Sequence, residues 1–193
     1  MAQFHAIQVV CEAVTSVLRQ AYDPAIMEPR LNLQFDVYRT EDFKNHMNAG
    51  VSLFLYRVHV NAGQRTPSPP RDNVARRFQL PLDLHFFLTV WAQRSSLQHV
   101  LLGWAMRVLE DFPVLPASLL NGIRSGVFDE DETVEIVPGQ VSNEELMRIW
   151  DDLGSEYQLS VPYIARVVRI DSLLETPTGG PVRERVFGMQ APE

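Results

Sequence analysis

From residue 3 to 19 the apolar side chains Phe4, Ile7, Cys11, Val14 and Leu18 return at the spacing of one face of a helix. Pro24 ends that helix, because the residue before a proline is pushed out of the α region. The period then drops to two. Leu31, Leu33, Phe35 and Val37 alternate with Asn32, Gln34 and Asp36, which predicts a half-buried strand over 31–38. "VSLFLYRVHV", 51–60, is apolar on both sides at its start and predicts a strand in the middle of a covered sheet. "LPLDLHFFLTVWA", 80–92, is the strongest strand. Leu80, Leu82, Leu84, Phe86, Leu88 and Val90 form one face, and Asp83, His85, Phe87, Thr89 and Trp91 form the other. Pro81 places its start at an edge or ahead of pairing. The two long strands flank the loop 61–79 and are expected to pair as antiparallel neighbours.

Helical spacing resumes after Ser96, a candidate N-cap. Leu97, Val100, Leu101, Trp104, Val108 and Phe112 make a broad apolar face, and "FPVLP", 112–116, breaks it. "ASLLNGI", 117–123, reads as a short helical turn ending at Asn121-Gly122, and "TVEIV", 133–137, as a short strand. Ser142 and Glu145 form a capping box ahead of Leu146, Ile149, Trp150 and Leu153, and Gly154 stops that helix. In "LSVPYIARVVRID", 159–171, Val161, Tyr163, Ala165 and Val167 face one way and Ile164, Val168 and Ile170 the other. The order predicts an α/β (α+β) sandwich: a mixed or antiparallel sheet of about four to five strands with packed helices, in one domain over 1–174. The Pro/Gly-rich remainder, 175–193, cannot bury a core alone. Its apolar Val182, Val186, Phe187 and Met189 predict a docking arm or an added edge strand.

Composition narrows the partners. With 46% hydrophobic and 21% charged residues the chain can form an ordinary globular core. One cysteine, Cys11, rules out an intrachain disulfide, and its place on the apolar stripe reads as core. No basic and apolar leader opens the chain and no apolar run is long enough to span a bilayer, so folding in the cytoplasm without a membrane partner is expected. A net charge of −7 argues against a grip on nucleic acid. The positive charge is 16 Arg and the single Lys44, a skew that suits bidentate contacts. It gathers in the long loop, 61–79, where Arg65, Arg71, Arg76 and Arg77 stand against Asp72 alone. Asp129, Glu130, Asp131 and Glu132 form the opposite run. A loop of that length is either solvated or a contact loop for an acidic surface; the acidic run is a solvated face or its counterpart.

Asp83 and His85 raise the question of chemistry, since i and i+2 on a strand share a side. If the long strands pair, His59 approaches both. A small hydrolase or metal-dependent enzyme built on His59, Asp83 and His85 is one reading. A polar strand face beneath a subunit contact is the other. No nucleophile elbow, phosphate-binding loop, dinucleotide fingerprint or H-E-x-x-H helix is present, and His5, His46, His59, His85 and His99 have no metal-ligand spacing. No cofactor is expected.

Three segments together are recognisable: "LDLHFFLTVW" at 82–91, "LLGWAMRVLEDFP" at 101–113, and the W-x-x-L-G-x-x-Y-x-x-S-x-x-Y pattern from Trp150 to Tyr163. With the first helix and "VSLFLYRVHVNAGQRTPSPPR" they resemble the tail-terminator, or cap, proteins of phage-tail-like extracellular contractile injection systems, such as the antifeeding prophage and the Photorhabdus virulence cassettes. The resemblance covers the chain to about Asp171. It implies a non-enzymatic structural protein that forms a homo-hexameric ring on the far end of the inner tube and sheath, with sheath and tube proteins as partners. By this reading the protein assembles in the bacterial cytoplasm and becomes part of the particle. The Arg loop, the acidic run and Val182, Val186 and Phe187 are then its interface candidates. A completion or neck protein of a contractile phage tail is the related alternative.

Overall fold

The computed structural model of the chain describes residues 3–25, 32–64 and 76–176. Helix α1 spans Ala6–Ala21 and is followed by strand β1, Gln34–Val37, a short 3-10 helix, Thr40–Asn45, and strand β2, Gly50–Val60. Strand β3 spans Arg76–Trp91 and helix α2 Ser95–Asp111. Strand β4 (Val114–Pro116), helix α3 (Ala117–Ile123), strand β5 (Thr133–Pro138), helix α4 (Asn143–Leu153) and strand β6 (Ser160–Thr176) complete the order. The six strands form one sheet in the order β1-β2-β3-β6-β5-β4. β1 runs parallel to β2, and every other pairing is antiparallel. The sheet is therefore mixed, and β4 is a strand that the broken-helix reading of "FPVLP" did not anticipate.

The alternation along β3 places Leu82, Leu84, Phe86, Leu88 and Val90 on one face, each buried. α1, α2 and α3 supply the apolar residues that meet them, including Val10, Leu18, Leu101, Trp104, Leu109 and Leu120. Among the described residues the opposite face is covered at one end only. There Trp150 and Leu153 of α4 pack with Phe43 of the 3-10 helix, Tyr38, Met47 and Trp91.

Several local expectations are corrected by tertiary structure. Phe4 lies outside α1 and is 72% exposed, its ring tilted against His5 rather than on the stripe. α2 begins two residues earlier than Ser96 predicts. Its N-cap is Arg94 with no side-chain cap, and Ala105 and Leu109 are buried where Val100 and Phe112 are exposed. β3 pairs with β6 back to Arg76, so Pro81 is internal to the strand. Its position is tolerated because a residue's N–H and C=O point to the same side of a strand. Asn61 N donates to Pro81 O at 2.9 Å, and the last β2 partner of β3 is Leu82. The missing N–H thus faces the side where β2 has ended, a local edge. Along β6, a register shift between Leu82/Leu84 of β3 turns Val168 to the same core face as Tyr163 and Ala165. Strict alternation had put Val168 on the other side; a β-bulge reverses it.

Gly50 attaches β1. Its φ is +153°, and a Cβ there would stand 2.0 Å from the Gln34 carbonyl oxygen. Only glycine lets the two backbones approach that closely.

Candidate functional site

The half of the sheet that α4 leaves uncovered carries the polar residues of β2 and β3. A register shift between Leu55 and Arg57 brings His59 opposite Asp83 and Arg57 opposite His85. Tyr56 stacks on Phe87 with ring centroids 4.4 Å apart, His85 meets Tyr56 edge-on at 6.1 Å, and His59 meets His85 at 6.4 Å. Burial pushes the His85 imidazole below its usual pKa, and the Arg57 guanidinium adds to that; Asp83 acts in the opposite sense. The three residues singled out in sequence are thus neighbours, as strand pairing predicts.

Their contacts are structural ones. One oxygen of Asp83 accepts from Asn61 Nδ2 at 3.0 Å, not from a histidine. Among the described residues no group of three His, Cys, Asp or Glu side chains is placed to hold a metal ion. Arg57 leaves the sheet to form an ion pair with Glu145 of α4. That explains a departure from the expected capping box. Ser142 Oγ accepts from Glu145 N at 3.1 Å, but the Glu145 carboxylate is directed to β2, where it pins α4 across the sheet.

The charged candidates lie at the other end of the strands. Arg76 and Arg77 open β3 opposite Thr176 and Glu175 of β6. Asp129 to Glu132 form a tight turn between α3 and β5, in which Asp129 N donates to Glu132 Oε2 at 2.7 Å and Glu132 N to Asp129 O at 3.1 Å. Burial raises the Glu132 pKa, and the carboxylates of Asp129 and Asp171 raise it further. Asp171 is in turn the β6 partner of Gln79. One chain thus brings the acidic turn to the same end of the sheet as Arg76 and Arg77. Arg65, Arg71, Val182, Val186 and Phe187 lie outside the described residues.

A feature missed in sequence holds that acidic turn in place. Asn121 Oδ1 accepts from the backbone N of Val127 and Phe128, at 3.1 and 3.0 Å, and its Nδ2 donates to Phe128 O at 2.8 Å. Asn-Gly at a helix end signalled a turn, though not a side chain serving three backbone groups.

The outer rim of β1 is a second surface. Gln34 N donates to Ala49 O and Tyr38 N to Leu53 O, so residues 34, 36 and 38 face β2. The backbones of Leu33, Phe35 and Val37 face outward, since they alternate with these. Arg19 Nη2 caps the Phe35 carbonyl. Beside the rim lies a cleft of about 500 Å³ lined by Gln34, Asp36, Tyr38, Asp42, His46 and Asn48, among others.

Residues 9–184 match the family model of the Pvc16 N-terminal domain. The chain belongs to the Pvc16 N-terminal domain family. Two solved cryo-EM structures share its fold. One is the sheath/tube terminator of an extracellular contractile injection system, PVC, in the extended state, at 18% identity and a TM-score of 0.59, covering 100% of this chain and 65% of that one. The other is the tube-terminating cap of the anti-feeding prophage, at 17% identity and a TM-score of 0.58, covering 93% of this chain and 60% of that one. The chain spans less than two thirds of the length of either. Among curated proteins no sequence matches it. In this Pvc16 N-terminal domain the three segments that carried the resemblance are scaffold. Leu82–Trp91 is the centre of β3, Leu101–Pro113 is α2 and its exit, and Trp150–Tyr163 runs from α4 into β6.

Proposed function

We propose that this Pvc16 N-terminal domain acts as a tail terminator, or cap, in a contractile injection system. It forms a homo-hexameric ring on the end of the inner tube and sheath, stops their polymerisation and anchors the last sheath layer. The supporting observation is the family match along residues 9–184, together with a fold shared over the whole chain with a sheath/tube terminator. The reading requires no catalysis. Asp83 and His85 then serve as the polar side of a scaffold strand, and the protein works by fit to a polymer end.

Ring closure needs a heterologous contact, one patch meeting a different patch by rotation. The Arg65, Arg71, Arg76 and Arg77 segment and the Asp129, Glu130, Asp131 and Glu132 turn are proposed as orienting contacts with neighbours, tube or sheath. Exposed pairs contribute about 0–1 kcal/mol each, so they set direction more than strength. The tail residues Val182, Val186 and Phe187 are proposed as an assembly arm. Assembly in the bacterial cytoplasm precedes incorporation into the particle.

Electron microscopy of particles made without this gene tests the reading. Tubes or sheaths of irregular length are expected; particles of regular length would overturn it. Replacing Arg71, Arg76 and Arg77 by Glu should reduce cap retention on purified particles.

A further inference from the structure

We draw no further inference here: the strongest candidate, the exposed apolar patch of Val58, Val60 and Leu80 on the helix side of the sheet, beside the buried Leu82 and Leu84 that pair with β2, carries none, because nothing among the described residues shows what covers it.

Discussion

The two faces of the sheet follow different rules. On the helix side, Val51, Leu53, Leu84, Phe86, Leu88 and Val90 are at most 1% exposed, and nothing polar interrupts them. On the α4 side the buried part is held by directed bonds: Trp91 Nε1 donates to Ser52 Oγ at 2.8 Å, and the hydroxyls of Thr89 and Ser160 lie 2.8 Å apart. Beyond α4 that face turns outward as Arg57 and His59, with Asp83 and His85 half-buried beside them. The helix side is stabilised by area removed from water and tolerates no loss of volume. The α4 side is stabilised by directed bonds where it is covered, and beyond α4 it leaves Arg57 and His59 exposed.

The comparison is broken most sharply by paired truncations. Leu84→Ala should cost about 2–5 kcal/mol in urea unfolding, because its fully buried side chain leaves a cavity. His85→Ala, next in sequence on the other face, should cost less than about 1 kcal/mol. Equal costs would mean that the two faces are not distinct. Gly50→Ala should come next, at about 1–3 kcal/mol, since its Cβ collides with the Gln34 carbonyl. Faster amide exchange at Gln34 and Tyr38 is the accompanying sign that β1 has loosened.

Two tryptophans sharpen the account of the α4 side. Trp91→Phe strands the Ser52 hydroxyl in a buried place and should cost about 1–3 kcal/mol beyond the lost volume. Trp150 Nε1 is buried with no hydrogen-bond partner among the described residues, so Trp150→Phe forfeits volume alone and should be the milder change. A larger loss for Trp150→Phe would contradict this. The smallest effect is the Arg57–Glu145 pair, half-exposed, where Glu145→Gln should cost about 0–1 kcal/mol.

Acid and base act on the two faces from opposite directions. On the helix side, Cys11 binds its proton more tightly folded than unfolded, its pKa raised from 9.0 to about 12 chiefly by burial. Its stabilising contribution is complete below pH 9 and is lost as pH rises toward 12. On the open face, burial lowers the pKa of His85 from 6.5, so the unfolded chain binds the extra proton first. That contribution is present above pH 6.5 and is lost as pH falls through the depressed folded value. His85→Gln should flatten the acid limb of a stability-versus-pH curve and leave the alkaline limb unchanged.

Much of the scaffold was legible because it is periodic. The faces of β3, the stripe of α4 with its Ser142 cap and Gly154 stop, and the antiparallel pairing of β2 with β3 all follow from spacing and short-range chemistry. Val168 was misassigned because a bulge changes which way a strand faces without changing its composition. β4 was missed because three residues are too few to show a period. The destination of Glu145 was misread because Ser142 and a residue on a distant strand compete for it. Of the candidate site, the nearness of His59, Asp83 and His85 was readable from strand pairing. What Asp83 bonds to was not, since Asn61 reaches it by a turn of the chain that no pattern encodes.

Alone, then, the order of residues determined the apolar stripes, the strands and most helix ends, because these depend on neighbours within a few positions. It also carried the segments by which the family is recognised. Only tertiary structure decided that the sheet is mixed, that β1 meets β2 across Gly50, and that an acidic turn lies at the start of β3. Those outcomes rest on contacts between residues far apart in the chain, where packing and backbone pairing select among arrangements that local preference leaves equal.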